Sequence, residues 1–389
     1  MVSFHQLSFV PEGDEVVVGR MGTGSYAVLP ADGAALLGRM AEGMAPDHAA
    51  RWYEDTYGEP VDVEEFLETL DELGFVRHEG EAADSTAGAL RWRWLGRALF
   101  SPAAWVCFAV LLAAWLVVLA GQPDLLPAPG QIFFTSSVIV VQLVITFGQV
   151  PLLFLHEGFH VLAGQRLGLT SQLGMSNRLA YIVFETKLNG VLSVPRAKRY
   201  LPFLAGMLCD LLVLACLDLL AAATREADGS LSLAGRLALA MGFTVVMRFA
   251  WQFQLFLRTD LYYVFATAFN CYSLHEASKA LLRNAFWGLL GRADKLVDES
   301  AWTEHDRRVG RWYGPFLVLG VTTALGIAVF ASVPVVVEYA TTIGGRLVSG
   351  RVDAAFWDGA VSLLVNLGQL ALLAHLSRRK RRAPIREMT

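Results

Sequence analysis

Two histidines and a glutamate in one short motif are the residues of this chain best suited to do chemistry. In the stretch His156-Glu157-Gly158-Phe159-His160 the histidines stand four positions apart. Residues at that spacing share one face of a helix, so both imidazoles can bind one zinc ion. Glu157 then lies beside the metal, where it can take a proton from a water molecule that attacks a peptide carbonyl. The motif therefore predicts zinc-dependent hydrolysis with Glu157 as the general base.

A catalytic zinc site also needs a third protein ligand and an open coordination position. Acidic residues in or beside apolar stretches are the candidates, because an ionised side chain in a membrane is costly without a function or a partner. Asp210 and Asp218 lie in one such stretch, and Asp260 follows another in the sequence WQFQLFLRTDLYY. Glu185 and Glu276 lie in predicted loops, where solvated surface roles are more common. Spacing alone does not choose between Asp210 and Asp260.

The composition indicates that membrane-spanning helices position these residues. Hydrophobic residues make up 54% of the 389-residue chain and charged residues 17%, against roughly 25% in soluble domains. Six apolar stretches approach or exceed the ~20 residues that a helix needs to cross a bilayer. They are 103–121, 131–155, 200–222, 235–257, 314–337 and 356–377. We therefore predict an α-helical polytopic membrane protein with about six transmembrane helices.

Basic residues predict the orientation of these spans. Three arginines in the stretch 91–97 precede the first span, and a basic run at 378–382 follows the last. The loop after the second span is also basic, whereas the loop 121–130 has no Lys or Arg. Since basic loops stay in the cytoplasm, the positive-inside rule predicts a multi-pass protein of the cell membrane with both termini cytoplasmic. The HEGFH motif then lies at the cytoplasmic end of the second span.

The first 80 residues differ from the rest of the chain in charge and in pattern. They contain 16 Asp/Glu against four Arg and no Lys, whereas the remainder has 28 Lys/Arg against 20 Asp/Glu. Alternating apolar runs predict three strands and helical spacing predicts three helices, the last capped by Asp62. The strands lie between 7 and 29, with turns at 11–13 and 21–24, and the helices lie at 31–40, 46–57 and 61–73. We predict a small α+β winged-helix-like domain at 1–80, a linker at 81–98 and a membrane domain at 99–389.

Two segments of the membrane domain resemble the site-2-protease family of intramembrane zinc metallopeptidases. The stretch FLHEGFHVLAGQRLG resembles the HExxH helix of that family. The stretch PFLAGMLCDLLV looks like its Ala-Gly-Pro-x-x-Asn helix, with Met207 in place of the proline and Asp210 at the asparagine position. The resemblance implies a membrane-embedded peptidase and gives Asp210 a supporting role.

A third segment extends this resemblance to about residues 145–270. The stretch QLFLRTDLYYVF is similar to the family's Asn-Pro-x-x-x-x-Asp-Gly-Tyr-Tyr segment, which supplies the third zinc ligand. The resemblance therefore implies that Asp260 is that ligand. Gln254 and Leu255 stand where the family has Asn-Pro, and Leu261 stands where it has glycine. Gln254 is accordingly a candidate for a supporting role beside Asp260.

Residues 5–78 resemble a PqqD-like domain, the peptide-recognition element of pathways for ribosomally made, modified peptides. The resemblance rests on EVVVGRMGTGSYAVLPADGAALL and YGEPVDVEEFLETLDELGFV. It implies that the leader of a precursor peptide binds here by adding a strand to a sheet edge. A generic winged-helix domain with another partner is the alternative. The acidic charge argues against nucleic acid, since a phosphate binder needs Lys and Arg.

Taken together, these patterns predict a membrane-embedded zinc endopeptidase that cuts a cytoplasmically presented peptide, the leader of a modified-peptide precursor. One alternative is a peptidase that cuts a transmembrane regulator. Another is a non-catalytic export or immunity protein with a degenerate zinc site. The expected partners are the precursor peptide and the lipid bilayer. Within 259–312, the amphipathic run LHEASKALLRNAFWGLLGRADKLV indicates either a helix at the membrane surface or one that packs on the membrane domain.

Overall fold

The structure is a computed structural model of the whole chain. It describes residues 2–20, 25–78, 80–81, 91–178, 181–271, 273–300 and 302–382. The chain divides into two compact units. The first comprises Met1–Val106, His156–Ser176 and Phe184–Gly206, and the second comprises Cys107–Leu155, Asn177–Val183 and Met207–Thr389.

The first unit begins with a three-stranded antiparallel sheet. Its strands are β1 (Leu7–Glu12), β2 (Glu15–Arg20) and β3 (Tyr26–Pro30), in the order β1-β2-β3. β2 is therefore the central strand, and β1 and β3 are the edges. Neighbouring residues of a strand point to opposite faces, and Val17 and Val18 of β2 are both fully buried. Both faces of the central strand are thus covered.

Three helices follow the sheet and enclose its core. They are α1 (Ala31–Ala41), α2 (Pro46–Tyr57) and α3 (Val63–Glu72), close to the predicted bounds. Asp62 caps α3 as predicted, because its Oδ1 accepts the N–H groups of Glu64 and Glu65 at 3.0 and 3.1 Å. Buried side chains such as Leu37, Leu70 and Phe75 form the core. The predicted turn at 21–24 and residues 82–90 of the predicted linker lie outside the described residues.

A short helix, α4 (Arg93–Leu99), begins within the predicted linker and packs on the helix that carries the motif, α6 (Val138–Arg166). Gly96 lies against the carbonyl of Leu162, so closely that a Cβ there would overlap it. The carboxamide oxygen of Gln165 accepts the N–H of Trp92 at 2.9 Å. These contacts hold the carboxyl-terminal half of α6, where the motif lies.

The basic segment after the motif is a hairpin, where the sequence predicts only a loop. It contains β4 (Thr170–Arg178) and β5 (Tyr181–Asn189), which pair as a two-stranded sheet. The β-branched and aromatic residues of TSQLGMSNR and YIVFETKLN favour strands. The basic residues of the segment predict only that it is cytoplasmic, and they do not predict its secondary structure. After a short turn the chain enters α7 (Arg196–Ala223).

Apart from the ends of β4 and β5 that meet at Asn177–Val183, the described part of the second unit is mainly helical. Besides the rest of α6 and α7 it contains most of one earlier helix and six later ones. They are α5 (Pro102–Gly121), α8 (Leu233–Trp251), α9 (Asp260–Ala268), α10 (Leu274–Leu289), α11 (Glu304–Ile327), α12 (Val333–Val348) and α13 (Ala354–Arg382). A π-helical turn joins α11 to α12.

Five helices among the described residues are long and apolar enough to cross a membrane: α5, α6, α7, α8 and the continuous stretch Glu304–Val348. No residue in the apolar window of α5 is buried within the protein, which suits a helix that faces lipid. These five helices support the predicted class of membrane protein. The sixth predicted span, 356–377, lies in α13, which is not among the five.

Several predicted spans differ from the helices in their bounds, and the second and the fourth are two of them. The second span was predicted at 131–155, but α6 begins at Val138 because the carboxylate of Asp358 caps it, accepting the N–H groups of Val138 and Ile139 at 2.8 and 3.3 Å. It then continues past the motif to Arg166, so the motif lies inside a helix. The fourth span was predicted to reach 257, but α8 ends at Trp251.

The amphipathic run at 274–297 contains α10, which packs on α11 mainly through its first half. Leu274, Ala277 and Ser278 are buried there, and Gly310 of α11 leaves room for the side chain of Leu281. The second half leaves large apolar residues exposed, among them Leu289. The helix therefore packs on the membrane domain, which is one of the two alternatives that the sequence indicates, and its position at a membrane surface stays a prediction.

Candidate metal centre

The two histidines of the motif point their ring nitrogens at one spot. His156 and His160 are buried, and their Nε2 atoms lie 3.3 Å apart. Two nitrogens that each bind a tetrahedral zinc ion at about 2.0–2.1 Å are separated by about 3.3 Å. Both imidazoles therefore lie on the same face of α6, as their four-residue spacing predicts. The spacing of the two nitrogens fits a shared metal ion.

The orientation of His160 is set by a backbone carbonyl of α7. Its Nδ1 lies 2.7 Å from the oxygen of Pro202. A carbonyl oxygen can only accept, so Nδ1 carries the proton and Nε2 keeps its lone pair. Metal-binding histidines commonly have this second contact, because it fixes both the tautomer and the ring. Pro202 belongs to the PFLAGMLCD segment that the sequence singled out, although for other residues.

Gly206, one helical turn further along α7, makes room for the ring nitrogens. A Cβ at this position would overlap Nε2 of both His156 and His160. The glycine therefore keeps open the space that a shared ion needs. It is the glycine of the Ala-Gly pair in the quoted segment, so the sequence signal was present but its function was not inferred.

Substituting this glycine should remove the metal without changing a ligand. We expect Gly206→Ala to lower the metal content from about one ion per chain to below about a tenth, because the new methyl group displaces both Nε2 atoms. Gly158→Ala is the matched control, since a Cβ there meets nothing within 4 Å. Elemental analysis of the purified full-length variants measures the effect. Normal metal content in Gly206→Ala would contradict this account of the site.

The carboxylate of Glu157 is held by a residue that the sequence did not reveal. Glu157 is buried, and the hydroxyl of Thr186 on β5 donates to its Oε2 at 2.7 Å. This contact links the hairpin to the motif. No motif in the sequence indicates a role for Thr186, because the sequence predicts only a loop in this segment.

Asp260 is the first residue of α9, and its backbone is fixed by residues just before it. Its N–H donates to Oε1 of Gln252 at 3.1 Å, and the hydroxyl of Thr259 donates to the carbonyl of Gln252 at 2.6 Å. Arg258 has a left-handed backbone with φ of 54°, which turns the chain into α9. Gln252 therefore provides a side chain that contacts the backbone of Asp260. Gln254 is buried nearby, and its supporting role stays a prediction.

His156, His160 and Asp260 together form a candidate metal site. The ligand atoms of the three side chains all lie within 4.8 Å of one another. Two imidazoles and one carboxylate suit zinc and several other divalent ions, so the donor set fits a metal without identifying it. Spacing left Asp210 and Asp260 open, and the geometry places Asp260 in this group.

The other acidic candidates have different partners. Asp210 is fully buried and accepts hydrogen bonds from Nε of Arg248 at 3.0 and 3.1 Å, which pairs α7 with α8. Asp218 accepts the indole N–H of Trp115 at 2.8 Å. Glu276 forms an ion pair with Arg258. The side chain of Glu185 lies outside the described residues.

Comparison of the chain with protein-family models, with curated proteins and with solved structures finds no match. Only the residues and their geometry therefore indicate a function.

Proposed function

We propose that this chain is a membrane-embedded zinc endopeptidase that cuts a peptide presented to it from the cytoplasm. The observation that carries the proposal is the 3.3 Å separation of the two buried Nε2 atoms, with a carboxylate of Asp260 close to both. Glu157 beside them completes the donor and base set of a zinc peptidase. The motif lies in a helix that is long and apolar enough to span a bilayer.

The residues of the chain divide the chemistry between them. His156, His160 and Asp260 would hold the ion, which when bound polarises the scissile carbonyl and acidifies water. Glu157 accepts the proton of the attacking water at its carboxylate and passes it to the nitrogen of the leaving amine. Thr186 keeps that carboxylate in place, since its hydroxyl donates to Oε2.

Two features of the amino-terminal domain support a peptide as the substrate. Its three strands and three helices follow the order that the sequence pattern predicts, and the residues that resemble a PqqD-like domain lie within them. The edge strand β1 ends at Glu12, whose carboxylate is buried in an ion pair with Arg199. The edge strand β3 is therefore the better candidate to receive an added strand. We propose that this strand is the leader of a ribosomally made precursor peptide.

Thr186 should act as a positioning residue for the base. We expect Thr186→Val to lower kcat by about ten- to a hundredfold, the equivalent of about 1.5–3 kcal/mol for a hydrogen bond to a charged group. KM and zinc content should stay unchanged, because neither a ligand nor the peptide site is altered. Thr186→Ser keeps the hydroxyl and should restore most of the rate. A loss of zinc in Thr186→Val would instead indicate a structural role.

A peptide library tests the proposed activity without knowledge of the natural substrate. The full-length chain, purified in detergent with zinc, is incubated with a diverse mixture of peptides, and new termini are identified by mass spectrometry. We expect zinc-dependent cuts that are absent with Glu157→Gln. Zinc binding without cuts would favour the non-catalytic alternative. Cuts confined to peptides inserted in a membrane would favour a transmembrane regulator as the substrate.

A further inference from the structure

The amino-terminal domain is held in place by a buried ion pair within the first unit. The carboxylate of Glu12, at the end of β1, lies 2.5 Å from Nη2 of Arg199, and both side chains are more than nine-tenths buried. Arg199 also donates to the carbonyls of Val194 and Leu192 at 2.8 and 2.9 Å. Its guanidinium is therefore bound from several sides, a specific geometry that a loosely tethered domain would not provide.

A second contact of the domain lies close to this pair. A Cβ on Gly19 of β2 would stand 2.5 Å from the hydroxyl oxygen of Ser193 and 3.7 Å from its Cβ. The backbone of the sheet therefore approaches the turn between β5 and α7 directly. This approach also explains why Val17 is buried although it points away from the domain's own core.

Strand β5 connects this contact region with the motif. At its carboxyl end, Leu188 lines a cavity of 200 Å³ together with Tyr26 of β3 and with the turn at Gly190. The side chain of Leu188 packs against Gly164 of α6. Two residues earlier, Thr186 bonds to the carboxylate of Glu157. Strand β5 therefore connects the cavity beside Tyr26, the first residue of β3, with the general base Glu157.

The length of this connection can be expressed in residues of an extended peptide. Two strand residues span about 6.6 Å, and the side chain of Thr186 with its hydrogen bond adds about 5 Å. An extended peptide covers these roughly 12 Å with about four residues. The cavity that separates Tyr26 from Leu188 adds to this length, so about four residues is the minimum.

We propose that the docked domain fixes the distance between the captured segment and the bond that is cut. A peptide that pairs antiparallel with β3 has its carboxyl end beside Tyr26, and the scissile bond lies at least about four residues further on. A parallel strand would leave at that end with its amino terminus, which does not fit a leader that precedes its product. The inference rests on the proposed peptidase function and adds the cleavage position to it.

Cysteine cross-linking tests whether the domain is docked as described. The Cβ separation of 3.7 Å between positions 19 and 193 suits a disulfide. In a chain whose exposed Cys107 and Cys216 are replaced by alanine, we expect Gly19→Cys with Ser193→Cys to form a disulfide in most molecules. Gly38→Cys with Ser193→Cys is the control, because a Cβ at Gly38 meets nothing within 4 Å. Failure of the first pair to cross-link would overturn the proposal.

Peptide tethering tests the fixed distance itself. In the chain whose Cys107 and Cys216 are replaced by alanine, Tyr26→Cys is joined by a disulfide to one of two synthetic peptides. The peptides have the same sequence except that the single cysteine lies three residues further along in one of them. Mass spectrometry locates the cut made by the full-length zinc-loaded chain. We expect the cut at least about four residues to the carboxyl side of the cysteine, and we expect it to move by three residues between the two peptides. Tethering at Tyr57→Cys, an exposed position on α2, should give no such cut.

The possible results distinguish a failure of the fixed distance from a failure of the proposed peptidase function. A cut that stays at one peptide bond in both peptides, or that falls on the amino side of the cysteine, overturns the fixed distance and leaves the peptidase intact. A chain that binds zinc yet cuts neither peptide, nor any member of the library, refutes the peptidase and the fixed distance together.

Discussion

Glu157→Gln should abolish cleavage while the chain still binds about one zinc ion. The amide has nearly the shape of the carboxylate and leaves all three candidate ligands in place, but it cannot accept the proton of the attacking water. General bases contribute about a hundred- to ten-thousandfold to a rate, so we expect a loss of at least about a hundredfold in kcat. Peptide cleavage and zinc content are measured on the same preparation.

A second glutamate provides the control for this substitution. Glu304 lies at the exposed start of α11, where it pairs with Arg308. Glu304→Gln should leave both the rate and the zinc content unchanged, because exposed pairs contribute little. If Glu157→Gln kept more than a tenth of the activity, another group would be the base.

Asp260→Ala and Asp210→Ala should affect different properties of the protein. The first removes a candidate ligand, so we expect zinc content to fall below about a tenth of an ion per chain with little change in stability. The second leaves the largely buried guanidinium of Arg248 without its carboxylate, and breaking a buried ion pair in this way costs about 3–5 kcal/mol of folding free energy. Zinc content per folded molecule should then stay near one ion. Elemental analysis and thermal unfolding of both variants separate the two effects.

A double variant tests the assignment of Asp210 further. Replacing both members of a buried ion pair with apolar residues is often neutral or stabilising, because no charge remains buried. Asp210→Leu combined with Arg248→Leu should therefore recover most of the stability that Asp210→Ala loses. Loss of zinc on substitution of Asp210, with zinc retained in Asp260→Ala, would move the third ligand to α7.

The sequence predicted the parts of this protein that follow from local periodicity. Helical spacing gave α1 to α3 and the cap at Asp62, and hydropathy gave the helices that are long enough to cross a membrane. The four-residue spacing of His156 and His160 gave the face of α6 that carries the site. These features depend on residues close together in the chain, which is why one sequence suffices.

Contacts between distant residues account for what the sequence missed. The start of α6 is set by Asp358, more than 200 positions away, so hydropathy alone placed the span boundary too early. Thr186 reaches Glu157 only because the hairpin folds back onto α6. Gly206 matters because of two nitrogens on another helix, which no local pattern reports.

Zinc binding by His156 and His160 is tested most directly by the zinc content of the full-length chain. The protein is expressed with zinc supplied, purified in detergent and analysed for bound metals beside His156→Ala. We expect about one zinc ion per wild-type chain and less than about a tenth in the variant. Wild-type protein without zinc, or equal zinc in both proteins, would contradict zinc binding by these histidines.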